Sequence, residues 1–257
     1  MPAELVRAWA WLGEASPLRL RWSPLYGDWF TVADLADPGS EALSTLLAYQ
    51  RSFARGMDQR TQAAYLIGQY SYFHTLALAA ALLREGVIPV FAPNALTWRL
   101  VSAEIGMPAR LELGVKSASV RPASEGAVAP ELERAFAPII EALRARTGFG
   151  RRPQWRIAAD SIASAFLDVG RANGDQAKAA DRVEAIVKTA GSPFANDALA
   201  FVRVAASHGD ASEIFRLRGG CCRYVKVEGG SLCPTCVLRD REEQLALLQT
   251  FMDERQG

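Results

Sequence analysis

The sequence predicts an α+β fold, mostly α-helical, with a helical and mixed domain over residues 1–212 and a small hairpin-plus-helix segment over 213–257. Three observations lead there. Much of the chain carries apolar residues at intervals of three and four, short stretches alternate apolar and charged residues, and all four cysteines lie between Cys221 and Cys236 in a glycine-rich texture unlike the rest. Half of the 257 residues are hydrophobic, enough for a sizeable core.

In chain order, Leu18, Leu20 and Trp22 alternate with Arg19 and Arg21, which predicts a half-buried strand ending at Pro24. Leu43, Leu46, Leu47 and Phe53 keep a helical interval from Ser40 or Glu41 to Ala54. A longer helix is expected from Asp58 to Arg84, with Tyr65, Leu66, Phe73, Leu76, Ala80 and Leu83 on one face and Gly86 as its stop. Val87–Phe91 reads as an edge-like extended segment, because Pro89 has no N–H to give a ladder. Leu111, Leu113 and Val115 alternate with Arg110, Glu112 and Lys116, another strand. Ala123–Pro130 is small, turn-rich and aperiodic, the best linker in the chain.

Helices are expected beyond it, over Glu131–Arg146 with a bend at Pro138, over Trp155–Asn173, over Asp175–Ala190 with Asp175 as N-cap and Gly191 as stop, and over Asn196–Ser207. The C-terminal segment changes period. Phe215 and Leu217 alternate with Arg216 and Arg218; Arg223, Val225 and Val227 alternate with Tyr224, Lys226 and Glu228; Gly229-Gly230-Ser231 is a turn signal. The hairpin so predicted folds Cys233 back towards Cys222. From Val237 a last helix is expected, with Leu238, Leu245, Leu248 and Met252 on one stripe.

With 29 basic and 28 acidic residues the formal net charge is +1, so nothing points to a nucleic-acid groove or a polybasic membrane anchor. The longest apolar run, Leu76 to Leu83, falls far short of the ~20 residues that span a bilayer. Glu4 and Arg7 stand where a signal peptide is apolar, so the expected location is cytosolic, with peripheral association at the inner membrane face left open. In that reducing compartment clustered cysteines favour a metal over disulfides.

The cysteine spacing narrows the metal. Cys233-Pro-Thr-Cys236 is the kind of turn that supplies half of a structural zinc site. Cys221 and Cys222 are adjacent, and neighbouring residues of extended backbone project to opposite faces, so they reach a wider target more readily than a single ion. A [2Fe–2S] cluster asks for four thiolates spread over two irons. Iron–sulfur, zinc and a redox-active dithiol all remain open on spacing alone.

The run Arg218-Gly219-Gly220-Cys221-Cys222-Arg223-Tyr224, followed by Gly229-Gly230-Ser231-Leu232-Cys233-Pro234-Thr235-Cys236, resembles the C-terminal signature of the FhuF-like ferric-siderophore reductases. Cys221, Cys222, Cys233 and Cys236 match that family's C-C-x10-C-x2-C pattern position by position, and Tyr224 is the aromatic that often follows the pair. The match covers only about the last 45 residues. The resemblance implies that these four cysteines ligate a [2Fe–2S] cluster. It further implies one-electron reduction of an Fe(III)–siderophore, of hydroxamate or catecholate type, with release of Fe(II) in the cytosol. Arg223 stands where the family commonly has an apolar residue, which bears on the potential of a cluster and not on its ligation.

The chain has no G-x-G-x-x-G opening a helix, so the electron is expected from outside, from a ferredoxin or a flavin reductase. Arg216, Arg218, Arg223 and Tyr224 flank the thiols and are candidate substrate contacts; an ordinary exposed strand face fits the arginines equally well. His74 sits in an apolar helix face and reads as a packed core histidine. Arg151, Arg152 and Arg156 around Trp155 read as a solvated loop with an amphipathic anchor, the Tyr65–Phe73 aromatics as core, and Asp240–Glu243 as a charged first turn. Two functions from other classes stay open beside the reductase: a binding protein whose hairpin is stapled by zinc, and a [2Fe–2S] carrier serving another oxidoreductase.

Overall fold

The computed structural model describes residues 1–15, 20–22, 25–92, 94–102, 109–124 and 126–255. The fold is mixed α+β and mostly helical, built on α4 (Gln59–Glu85) packed lengthwise against α6 (Arg151–Ala172). Local chemistry sets the bounds of α4. The Asp58 side chain accepts the Thr61 N–H at 2.7 Å as N-cap, and Gly86, at φ 68°, ends the helix in the left-handed conformation that costs glycine least. Around this pair lie α1 (Ala3–Ala15), α2 (Val32–Ala36), α3 (Glu41–Arg51), α5 (Val128–Thr147) and α7 (Gln176–Val187). Leu43, Leu46 and Leu47 of α3 are buried, as their spacing predicts, whereas Phe53 lies past the helix end and is exposed. α5 continues through Pro138, and α7 is capped by Asp175, whose carboxylate accepts the Lys178 N–H at 3.1 Å.

A four-stranded sheet in the order β1-β5-β4-β2 covers one side, with β1 (Leu20–Trp22), β2 (Phe30–Thr31), β4 (Leu96–Val101) and β5 (Arg110–Val115). Among the described residues only β1 pairs in parallel, on β5, with Leu20 opposite Leu113. β3 (Val87–Val90) and β6 (Ser119–Pro122) form a separate antiparallel ribbon, so Pro89 does sit on a strand with one neighbour. The Leu18, Arg19 and Pro24 positions of the first predicted strand lie outside the described residues.

Four expectations need correcting. Residues 196–207 are not a helix: β7 (Ala200–Ala205) pairs antiparallel with β8 (Ser212–Leu217), because Phe201, Val202 and Val204 suit a ladder whose partner arrives seven residues later. The hairpin therefore lies before the cysteines, and it straddles the 212/213 boundary. Residues 223–227 form no strand; Arg223 takes φ 64° and a 3-10 turn over Tyr224–Lys226 follows. The last three residues of the linker stretch are helix, since α5 opens at Val128 with Val128 and Ala129 buried. The last helix, α8 (Arg241–Glu254), begins four residues later than expected because Asp240 is its N-cap, accepting the Glu243 N–H at 2.8 Å. Leu248 and Met252 are buried on its inner face, and Leu238 lies outside it, exposed.

Among the described residues α4 is the one helix long and apolar enough to cross a membrane, yet 72% of that window is buried against the rest of the fold. Its His74 is only 4% exposed, enclosed by Tyr70, Phe91 and Phe136, and burial pushes its pKa down to about 4. The unfolded imidazole titrates near 6.5, so between those values the unfolded chain holds a proton that the folded one refuses. Stability from this group is full above pH 6.5 and is lost as pH falls towards 4. The loss from pH 7 to pH 5 is about 2 kcal/mol. Urea unfolding at the two pH values reads it out: His74→Gln removes this part of the slope, and an identical slope in the variant contradicts the assignment.

Candidate metal centre

The cysteines reach one place because three helices hold the chain between them. The strand β8 runs along α6, and just beyond its end Gly220 lies directly on the α6 backbone while Gly219 packs against Asn196 and Leu199. A Cβ on Gly220 would stand 2.8 Å from the Ile157 nitrogen and 2.9 Å from the Arg156 carbonyl carbon, and one on Gly219 would meet the Asn196 side chain. Only glycine allows that approach. The contact is tied by Asp160, 1% exposed on α6, whose carboxylate accepts the Gly219 N–H at 2.7 Å, the Gly220 N–H at 3.1 Å and Arg218 Nε at 3.2 Å. Cys221 and Cys222 follow at once.

After them Arg223 turns the chain in the left-handed region and anchors to the start of α4, donating Nη2 to Asp58 at 2.7 Å and Nε to Thr61 Oγ1 at 3.1 Å. Burial opposes ionisation of Asp58, but the hydrogen bonds from Thr61 and Arg223 outweigh it and hold the carboxyl below its usual range. The second cysteine turn is held from its C-terminal side. The Cys236 N–H donates to the Cys233 carbonyl at 3.0 Å, closing the turn. Arg239 Nε donates to the Cys233 carbonyl at 3.1 Å and Gln244 Nε2, from α8, to the Cys236 carbonyl at 2.7 Å. A single backbone bond joins the halves: the Arg218 N–H donates to the Thr235 carbonyl at 3.0 Å.

All four thiols are free, Cys236 buried, Cys221 and Cys222 half-buried and Cys233 exposed. They line one cavity of about 190 Å³ together with Tyr65, Arg218, Arg223 and Tyr224. Among the described residues no three Cys, His, Asp or Glu side chains are arranged to hold a metal ion. The chemistry of the donor set nevertheless suits a cationic centre. Burial pushes the Cys236 thiol up, the Leu238 N–H works against this, and the neighbouring Cys233, Cys221 and Cys222 push it further up. A cation bound among them reverses that penalty, because a coordinated thiol is deprotonated outright. Arg218 gives partial compensation: burial works to lower its pKa, and Asp160, Cys222 and Cys233 together raise it.

Of the candidate contacts, Arg218, Arg223 and Tyr224 border the cysteine cavity, and Arg216 lies in an adjoining groove with its Nε bonded to Ser164 Oγ. Neither Arg216 nor Arg218 lies on an exposed strand face; both are half-buried against α6. Tyr224 is 36% exposed at the rim. Tyr65, expected in the core, is half-buried beside the thiols, its pKa pushed up to about 12 by burial and by Cys222. The Arg151–Arg156 stretch is no loop but the first turns of α6, with Arg151 paired to Glu141 and Trp155 packed edge-on to Phe194. Sequence reading missed Asp160, whose only signal is a lone acid among small residues on an otherwise apolar helix face. No protein-family model and no curated protein matches this chain.

Proposed function

We propose that the protein is a ferric-siderophore reductase, with Cys221, Cys222, Cys233 and Cys236 holding a [2Fe–2S] cluster. The observation that carries this reading is the set of four free thiols, from two separately anchored turns, lining one cavity that opens beside an arginine-bearing groove. The ligand pattern and its resemblance to the reductase signature add the chemical identity. When bound, such a cluster supplies one electron at a potential that all-thiolate ligation can place at about −400 mV.

The chain's own part is positional and electrostatic. Asp160 fixes the backbone that carries the paired cysteines, and Arg239 and Gln244 fix the second turn. Arg218 sets positive charge against the thiolates, and buried Cys236 keeps one edge of the site dry while Cys233 and Tyr224 face outward. An acceptor that docks on that open side comes within reach of the site without any group having to act as acid or base. The acceptor's iron is Fe(III) in a hydroxamate or catecholate chelate; one electron converts it to Fe(II), which such ligands hold weakly. The donor is external, a ferredoxin or a flavin reductase, and the work is done in the cytosol.

The test is stoichiometric. Protein reconstituted and reduced with dithionite under anaerobic conditions, then freed of excess reductant, is mixed with ferric siderophores and a chromogenic Fe(II) chelator. One Fe(II) trapped per reduced chain, with matching recovery of the oxidised spectrum, is expected. Unchanged absorbance with every siderophore contradicts the reading and assigns the cluster to another acceptor.

A further inference from the structure

Beside the cysteine cavity, and sharing Tyr65, Arg218 and Cys222 with it, runs a groove of about 410 Å³ between α4, α6 and β8. That size falls within the ~300–1,000 Å³ of small-ligand clefts. It suits one chelating arm or one face of a siderophore complex rather than the whole. The walls are Tyr65 and Tyr72 of α4, Ser164 and Asp168 of α6, Arg216 of β8 and Arg218 just beyond it.

The charges on these walls do not balance. Arg218 is paired with Asp160 at 3.2 Å. Asp168 is paired with Arg171 at 2.8 Å and also accepts the Tyr72 hydroxyl at 2.7 Å. Arg216 alone has no carboxylate partner among the described residues. Its Nε donates to Ser164 Oγ, while its Nη1 is buried with no acceptor. A half-buried guanidinium with an unfilled fork is ready for an oxyanion, and its planar donors match two adjacent oxygens on one rigid ligand. Catecholates and α-hydroxycarboxylates present such a pair. A chelate of that kind keeps net negative charge around Fe(III), which bare thiolates would repel, so a cation in the adjoining groove is what its approach needs.

We infer that this groove, through Arg216 held by Ser164, is the seat for the anionic oxygen face of the ferric chelate, so that the protein takes anionic chelates in preference to uncharged tris-hydroxamates. The inference rests on the reductase reading for its substrate class, but its test needs no electron. Gallium(III) tris-catecholate and an uncharged gallium(III) tris-hydroxamate of similar size are titrated against the full-length protein, with binding followed by calorimetry. Gallium(III) stays oxidised, so the spectrum of the iron–sulfur centre and its ferric reductase activity are judged separately. The wild-type protein is expected to bind the catecholate at least about tenfold tighter than the hydroxamate, the value of one charge-assisted hydrogen bond. Arg216→Gln abolishes that difference and leaves hydroxamate binding unchanged, Arg216→Lys keeps part of it, and Ser164→Ala weakens the catecholate several-fold. Equal affinity of the wild type for both complexes overturns the inference, as does catecholate binding that survives both Arg216→Gln and Ser164→Ala. If Arg216→Gln does not fold, Ser164→Ala decides alone: a selective loss of the catecholate supports the seat, and no loss overturns it.

Discussion

Replacing Asp160 by alanine is expected to destabilise the protein by about 3–5 kcal/mol and to loosen the turn that carries Cys221 and Cys222. The reason lies in what the carboxylate leaves behind. Two backbone N–H groups, at 2.7 and 3.1 Å, and the Arg218 guanidinium, at 3.2 Å, all point at it from a loop that is otherwise sealed against α6. Water has little access there, so the donors stay unpaired and Arg218 becomes a half-buried charge without a counter-ion. Against the ~5–15 kcal/mol that holds a typical domain together, this is a large fraction. Asp160→Asn tests the charge separately from the shape: it can still accept from one side but turns an amide donor towards the others. Urea midpoints measure the loss. Thiol titration of metal-free protein measures the loosening, because Cys221 and Cys222, half-buried in the intact site, are expected to react as fast as Cys233 in Asp160→Ala. Unchanged midpoints and unchanged rates at these two thiols would show that the loop is held by other contacts.

Replacing any one of Cys221, Cys222, Cys233 or Cys236 by serine is expected to remove the visible spectrum or reduce iron content to a small fraction of the parent protein. Each thiol belongs to the same cavity, and no other cysteine in the chain can take its place. The four positions are not equivalent in what surrounds them. Cys236 is buried with its carbonyl held by Gln244 at 2.7 Å, so its serine variant removes a ligand from the best-anchored position. Cys233 is exposed, and its serine variant is the most open to a substitute ligand from solvent. Far-ultraviolet circular dichroism is expected to stay near that of the parent in all four, because the core of α4 and α6 lies apart from these thiols. Iron content and absorbance that survive a serine at one position would remove that residue from the ligand set.

The helical frame was readable because its signals are local. Asp58, Ser40, Asp175 and Gly86 mark helix ends in the sequence and cap helices in the structure, each by a hydrogen bond within four residues. What failed to read was pairing at a distance. Val202 and Val204 carry the two-residue period of a ladder, but the stretch is too short to settle the choice without its partners Phe215 and Glu213 across the strand. The same holds for Val225 and Val227, where Arg223 in the left-handed region, tied to Asp58 on a helix 165 positions earlier, replaces a strand with a turn. The strands β4 and β6 were missed, as was α1, whose Leu5, Ala8, Trp9 and Leu12 form an amphipathic face that needs α4 to bury it. At the site, the four thiols were legible from spacing alone, but their support was not. Asp160 lies 59 positions from Gly219, and no local pattern links the two.

The identity of the centre in the cysteine cavity can be read from one spectrum of anaerobically prepared protein, taken before and after dithionite. A reddish-brown protein with two irons and two acid-labile sulfides per chain is expected, with a rhombic electron-paramagnetic signal that appears on reduction. A colourless protein that carries one zinc per chain and stays magnetically silent would contradict it.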